Sequence, residues 1–528
     1  MITKILLRKN EYRDSVFLMV IKERVMKSVS GIQNVAVMMG SQNNQEILRK
    51  AGYAGAEITQ ASANDIVICL QAESDQRAEE AVLVINHTLD QGTGSSSTER
   101  EFRTIDSLAH SHPETNFAII SIPGEYAARE TSRALKMGMN VLLFSDNVSI
   151  VEEREVKSLA NSLNRIVMGP DCGSAIINGV PLAFANVIKR GHVGVVAASG
   201  TGLQEFSVLL DRAGHGISQA IGTGGRDLYD AVGGISTLKG IDILERDPDT
   251  SLITIISKPA QPLTMKKVIE RAKNCIKPVV LNLIGFHEDQ KLGSNIHAAN
   301  TFEEAAGLAV TILSGKTILS TPVASIEDTW LTIAANEASR MCHEQQFIRG
   351  LYSGGSLCSE AMLVLEQQVG PVFSNVPLNK EYRVEEGKTG GRHTCLDLGS
   401  DEYTRGIPHP MISADLRIQH IRQLAEDSQS AVLLLDVILG YGSHPNMAGA
   451  LQSSIAYIRS AHRSRGGNLV VIASVCGTDK DPQGLSDQVR KLEDVGVIVM
   501  PSNAKAAELA GRIVSNRKGK EAGVGRNS

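Results

Sequence analysis

Two short stretches, Ser199-Gly200-Thr201-Gly202 and Ser353-Gly354-Gly355-Ser356, each follow an apolar run and open a helical one. A strand that ends in small residues and starts a helix presents free backbone N–H groups at the positive end of the helix dipole. That is a site for a phosphate, a carboxylate or an oxyanion. One such loop alone reads as well as a simple helix-capping turn. Two equivalent loops change the reading, because both can face one anion across a pseudo-two-fold axis. Neither carries the Gly-Lys-Ser/Thr of a P-loop, and no Gly-x-Gly-x-x-Gly follows a strand, so nicotinamide binding has little support.

Three other clusters bear chemistry-capable side chains. In Gly222-Thr223-Gly224-Gly225-Arg226-Asp227 the glycines let a ligand approach the backbone. Arg226 could clamp a carboxylate or phosphate with its fork, or pair with Asp227 on the surface. Gly169-Pro170-Asp171-Cys172-Gly173 stands just past a strand, at the edge where open α/β sheets bind ligands. Asp171 is the candidate substrate contact there. Cys172 lacks a nearby base and reads as a small buried residue. In the last third of the chain, Leu396-Asp397-Leu398-Gly399, Pro408-His409-Pro410 and Asp436…Gly440-Tyr441-Gly442-Ser443-His444 end strands or fill loops. His409 and His444 lie in loops, where a general acid/base or anion contact is a natural role. No His-Glu-x-x-His, EF-hand or clustered ligand spacing appears, so no metal is expected.

These loops need strands and helices to position them. Residues 1–90 alternate short strands (Ile2–Leu7, Val35–Met39, Asp65–Leu70) with helical stretches, which predicts a small ferredoxin-like α+β unit. Gln91-Gly-Thr-Gly-Ser-Ser-Ser-Thr98 reads as a linker. From Asn116 the order becomes strand–helix–strand, predicting parallel sheets with helices on both faces. The unit that starts at Val193 repeats from about Ile348 with the same strand, Ser-Gly loop, helix and acidic-turn order, so a duplicated doubly wound domain is expected.

Composition narrows the partners. The chain has 528 residues, net charge −5, 42% hydrophobic and 21% charged residues, which suits a folded multi-domain protein. The charge and the lack of a Lys/Arg cluster argue against nucleic acid. Seven scattered cysteines with no Cys-x-x-Cys pair read as reduced thiols. With no signal-like N-terminus and no long apolar run, a cytoplasmic location with no membrane partner is expected. The 48 glycines, about 9% against a usual ~7%, imply many tight turns.

The stretch Phe117–Ala260 resembles the α subunit of succinyl-CoA synthetase. Gly169–Gly173 matches that family's Gly-Pro-Asn-Cys-Pro-Gly turn with Asp171 for Asn, and Ser199–Thr201 matches its Ser-Gly-Thr turn. Gly222–Asp227 and Asp242–Thr250 match two further segments. Gly354-Gly355, Leu396–Gly399 and Gly440–Gly442 resemble the C-terminal domain of that enzyme's β subunit. Along nearly the whole chain the sequence is similar to the FdrA family, through Ser145-Asp146-Asn147-Val148, Met168–Gly173, Gly222–Leu228 and Pro408–Ile412.

The resemblance implies an α/β fold: a Rossmann-like CoA-binding-type domain and two flavodoxin-like doubly wound domains behind a small N-terminal α+β domain. The expected boundaries are residues 1–98 with the linker, 99–188 (CoA-binding-type), 189–320 (flavodoxin-like), a linker at 321–345, and 346–528 (second flavodoxin-like domain with tail). It further implies a carbamoyltransferase subunit, converting oxamate and carbamoyl phosphate to oxalurate and phosphate in allantoin nitrogen catabolism, within a hetero-oligomer. Ser199–Gly202 and Ser353–Ser356 would cradle phosphate with Gly224, Gly225, Asp171 and Asp397 around them. Arg226 would hold the oxamate carboxylate, and His444 or His409 would move a proton.

The alternatives are a subunit of an ADP-forming acyl-CoA synthetase type, handling an acyl-CoA or acyl phosphate with CoA or a nucleotide, and a regulatory subunit. Two departures weigh against a complete ligase. Ile284–His297 lacks the Gly-His-Ala-Gly phosphohistidine pattern, although it contains His287 and His297, and the Gly-x-Thr-Gly-x-x-Gly loop for CoA is missing before Phe117.

Overall fold

The computed structural model describes residues 2–11, 13, 15–91, 102–285, 292–315, 328–384, 391–404 and 407–524, so the Gly/Ser stretch read as a linker lies, from residue 92 on, outside them. Its contacts divide it into two units, one on Met1–Glu101 and the other on Phe102–Thr404 and Pro408–Ser528.

In the first unit the strands Ile2–Arg8 and Ile32–Met39 both pair antiparallel with a central strand, Ile66–Ala72. The helices Ser15–Ser28 and Asp75–Gln91 bury Leu18, Ile21, Val25, Ala81 and Ile85 on one face of this sheet, and Leu48, Tyr53 and Ile58 pack with Val67 and Cys69 on the other. The split β-α-β pairing is the ferredoxin-like arrangement expected from the sequence.

The second unit holds three sheets. Phe117–Ile120, Asn140–Leu143 and Val167–Met168 form a small parallel sheet in chain order, with the helices Gly124–Lys136 and Ile150–Ser162 between them. A seven-stranded sheet is built around Arg190–Ala198, which is flanked by Ile217–Gly222 on one side and by Leu252–Ser257, Val279–Leu283 and Ile296–Ala298 on the other. A six-stranded sheet repeats that order around Phe347–Tyr352, with His393–Asp397 on one side and Ser430–Ile438, Val470–Cys476 and Ile498–Met500 on the other. Both are flavodoxin-like, and their nearly continuous runs of buried apolar residues fit sheets covered on two faces. Two elements differ from the expected boundaries. The hairpin of Ser174–Ile177 and Val180–Ala183, turned by Asn178 and Gly179 at positive φ, hydrogen-bonds onto the seven-stranded sheet instead of staying with residues 99–188. Within residues 321–345 the helix Asp328–Ser339 buries Ala334 and packs on the helix Asn503–Val524.

The two flavodoxin-like domains join through matched helices. Gly200–Arg212 and Gly355–Val369 each carry a glutamate as sixth residue, and each glutamate caps the last helix of the opposite domain. Glu360 Oε1 accepts the Phe302 amide at 2.6 Å, and Glu205 Oε1 accepts the Asn503 amide at 3.1 Å. Asn503 Nδ2 also donates to Glu360 Oε2 at 2.7 Å, linking the two caps. Burial pushes Glu360 up to about 8 and raises Glu205, while these hydrogen bonds pull both down.

The small parallel sheet is tied to the seven-stranded one by Lys157. Its ammonium is fully buried, 2.8 Å from Glu153 Oε1 and 2.7 Å from Asp227 Oδ1, and it donates to Thr223 O at 2.9 Å. Lys157→Met leaves both carboxylates buried without their shared cation, for an expected loss of about 3–5 kcal/mol of unfolding free energy. Urea denaturation checks this, and an unchanged midpoint would refute it.

Candidate functional site

The helix N-termini that carry the two Ser-Gly loops meet. Ser199 caps Gly200–Arg212, accepting the Gly202 amide at 3.0 Å, and its hydroxyl donates to Ser356 Oγ at 2.6 Å. A Cβ on Gly354 would lie 3.0 Å from Thr201 Cβ, so the loops touch directly. Gly202 is hemmed in by the protein itself, its pro-Cβ position 2.3 Å from Ser199 Oγ and 2.7 Å from the Phe302 ring, with its amide already bound to Ser199, which makes it a packing and capping glycine.

The loops are not equivalent as anion sites. Ser353 N lies 2.9 and 3.0 Å from the two carboxylate oxygens of Asp436, and Gly354 N lies 2.7 Å from Oδ2. Ser353 Oγ donates to the same carboxylate, which also pairs with the fully buried Arg417 at 3.2 Å. An internal carboxylate therefore fills the Ser353–Gly354 nest, which corrects the expected phosphate cradle at those two residues. In the other sheet Ser257, paired with Ala198 just before Ser199, occupies the corresponding place and puts no carboxylate there. Among the described residues, the amides of Gly200, Thr201, Gly355 and Ser356 donate to no group.

Beside Gly355 stands Lys258, the residue after the strand Leu252–Ser257. A Cβ on Gly355 would stand 2.9 Å from Lys258 Nζ and 2.4 Å from Asp397 Oδ2. The Lys258 ammonium makes no hydrogen bond or ion pair among the described residues, while its carbonyl accepts the Ser257 hydroxyl at 2.5 Å. Asp397 Oδ1 accepts the Gly399 amide at 2.9 Å, and burial raises its carboxyl while Lys258 lowers it.

Asp171 borders the same cleft. It is exposed to solvent and sits at φ 54°, a left-handed conformation that side chains other than Gly rarely adopt. Protein crowds it closely enough that burial pushes its carboxyl to about 6, with Lys258 and Arg226 pulling it down and Asp146 and Asp401 pushing it up. Gly224, at φ 83°, packs its α-carbon against Pro170 O, where a Cβ would lie at 2.3 Å, whereas Gly225 has open space beside it. Arg226 bonds through Nη2 to Glu153 at 2.9 Å and Val148 O at 2.7 Å, so that nitrogen braces the helix Ile150–Ser162. Cys172 is buried and its thiol is pushed up to about 12, so it is no nucleophile.

His409 enters from the six-stranded side. Its Nδ1 accepts the Met411 amide at 3.2 Å, which places the ring proton on Nε2, beside Gly399. Burial holds the ring down at about 4, with Lys258 adding to the effect and Asp436 opposing it. His409 is thus a neutral N–H donor near pH 7, and a proton shuttle through a charged imidazolium is disfavoured. His444 accepts the Asn446 amide on Nδ1 at 3.0 Å and its own amide donates to Met411 O, bracing the turn between strand and helix. His297 lies in the edge strand Ile296–Ala298, and His287 falls outside the described residues.

Sequence reasoning missed Lys258 and Arg417, and took Asp436 only as part of a strand end. A polar residue just past a strand's C-terminal end is the signal that could have found Lys258. Nothing local marks Asp436, 83 positions from Ser353, as that loop's partner.

Residues 351–513 match the family model of a CoA-ligase, residues 188–285 that of a CoA binding domain, and residues 1–104 that of AllF, heavy metal-associated domain. The sequence is 38% identical to YahF of Escherichia coli over 522 residues, 99% of this chain and 100% of that one. It is 31% identical over 149 residues to the α subunit of ADP-forming succinate–CoA ligase of Aquifex aeolicus, covering 27% of this chain and 48% of the relative. It is 27% identical over 179 residues to SauD, a subunit of ADP-forming sulfoacetate-CoA ligase of Bilophila wadsworthia, covering 32% and 59%. The matches thus span about half of those two ligase subunits. Among solved structures, the dinucleotide-forming acetyl-coenzyme A synthetase 1 of Ca. Korarchaeum cryptofilum aligns over 83% of this chain and 90% of its own at 14% identity, with a TM-score of 0.31.

A heavy metal does not fit the N-terminal unit. The sole cysteine of residues 1–104, Cys69, lies buried mid-strand with its thiol pushed up to about 12. Among the described residues no group of three or more His, Cys, Asp or Glu could hold a metal ion, and no helix is long and apolar enough to cross a membrane.

The charges give the cleft a pH dependence. Above about pH 6 Asp171 is ionised and repels an anion held at Lys258; below it the carboxyl is neutral. Inorganic phosphate is expected to bind more weakly as pH rises from 5 to 7.5, although its own second ionisation adds negative charge. Asp171→Asn should weaken that trend in calorimetric titrations. Identical pH profiles for the two proteins would contradict the assignment.

Proposed function

The chain belongs to the YahF family, FdrA-like proteins of acyl-CoA-synthetase type, and from that premise we propose that its cleft moves a small acyl group between an anionic carrier and a nucleophile. The observation that carries the reading is the meeting of two helix N-termini with Lys258, Asp171 and His409 at the ligand-binding edge of both sheets.

In this reading the open amides of Gly200, Thr201, Gly355 and Ser356 hold the carrier phosphate or the acyl carboxylate with Lys258. The neutral His409 Nε2–H polarises the acyl carbonyl, whose oxygen gains charge in the transition state. Asp171, ionised above about pH 6, accepts the proton of the attacking S–H or N–H group. The nucleophile bonds to the carbonyl carbon, the carbon–oxygen bond to phosphate breaks, and phosphate leaves with the electron pair. The ligase relatives favour CoA as the nucleophile. The lack of the Gly-His-Ala-Gly pattern in Ile284–His297 favours a narrower alternative that needs no phosphohistidine, carbamoyl transfer between carbamoyl phosphate and the nitrogen of oxamate, carried out with other subunits in the cytoplasm. The domain limits of the sequence reading serve this proposal, with 189–320 and 346–528 supplying the two halves of the cleft.

Two assays test it. With acetyl-CoA and phosphate, acetyl phosphate and free CoA should appear; with oxalurate and phosphate, carbamoyl phosphate and oxamate should appear if the narrower reading holds. Asp171→Asn should cut the rate of whichever reaction runs by about 10²–10⁴-fold. No product in either assay, alone or with the products of neighbouring genes, would overturn the proposal.

A further inference from the structure

Phe184 stands beside the Asp171 turn and His409. It follows the hairpin Ser174–Ala183, and its amide donates to Gly173 O at 2.7 Å, two residues from Asp171. Its ring lies 6.4 Å from that of His409 and 5.9 Å from that of Phe144, so one apolar side chain joins the Asp171 turn, the histidine donor and the small parallel sheet.

The backbone on both sides is shaped to hold the ring there. Ala183 stands at φ 57°, a left-handed conformation that is costly for a residue with a Cβ and persists only where its surroundings impose it. On the facing domain, a Cβ on Gly442 would lie 2.8 Å from the ring, and one on Gly440 would lie 2.5 Å from Ala185 O. The Tyr441 amide donates to Ala185 O at 2.9 Å, and Asn186 Nδ2 donates to Leu439 O at 3.0 Å and Asp481 Oδ2 at 2.9 Å. The Gly440–Gly442 turn, glycine-rich in the manner of an anion loop, is therefore the seat of a phenyl ring.

We propose that Phe184 limits the length of the acyl group, as an apolar wall beside the His409 donor that favours a short acyl group over a longer chain. The inference rests on the acyl-transfer reading above. In an apolar pocket each methylene that fits or clashes changes affinity by roughly tenfold or more.

The test is equilibrium titration of acetyl phosphate and butyryl phosphate into the full chain and its Phe184→Leu and Phe184→Ala variants. Wild type should bind acetyl phosphate about 100-fold more tightly than butyryl phosphate, two methylenes apart. The ratio should shrink in Phe184→Leu and approach unity or reverse in Phe184→Ala. Should Phe184→Ala not fold, Phe184→Leu, which keeps most of the apolar contact, decides the matter alone. A ratio unchanged from wild type overturns the role of Phe184 while leaving acyl transfer standing. Failure of wild type to bind either compound removes the acyl-transfer reading itself.

Discussion

Two helices point their positive ends at one another across the joint between the flavodoxin-like domains, and the second unit is arranged around that constraint. Thr201 presses on Gly354 and Ser199 bonds to Ser356, so the first turns of Gly200–Arg212 and Gly355–Val369 cannot separate. Like dipole ends brought so close need negative charge nearby. Asp436 supplies it at Ser353 and Gly354, and Asp397 faces Gly355. On the far side of the joint Glu205 and Glu360 cap the last helix of each opposite domain by accepting its first amide.

With those places filled from within, what stays open is narrow and asymmetric. The first-turn amides of both helices are open, with Lys258 beside Gly355, and the amides of Ser353 and Gly354 are bound by Asp436. A duplicated fold thus carries an internal carboxylate at one loop and none at the other. The asymmetry traces to a single difference at corresponding strand ends, Asp436 in one sheet and Ser257 followed by Lys258 in the other. Around Lys258 stand Asp171 with its carboxyl pushed to about 6, the buried Asp397 and the neutral His409. Groups of such different proton affinity within one cleft suit a reaction that holds an anion and moves a proton.

Much of this was legible in the residues. The alternation of apolar runs and helical stretches showed the parallel sheets, and the repeated Ser-Gly loops showed the duplication and the location of the joint. Other features were local but easily passed over: Asn178-Gly179 is a hairpin turn signal, and it moved the strands on either side of it to the seven-stranded sheet. Arg226 had the right chemistry for a clamp, yet one of its nitrogens braces Glu153 and the Val148 carbonyl. Side-chain type sets what a residue can bond, while its neighbours set what it does bond.

The sequence by itself determined the units, the doubly wound order of the strands and the family, because hydrophobic period, turn residues and motif spacing are local and survive without knowledge of contacts. It also located the loops whose amides could take an anion. Only the tertiary structure decided which of those amides were still free. Asp436 reaches Ser353 across 83 positions, Glu360 reaches Phe302 across 58, and Lys258 meets Gly355 through the docking of two domains. Such pairings depend on where whole helices come to rest, and no spacing along the chain encodes them.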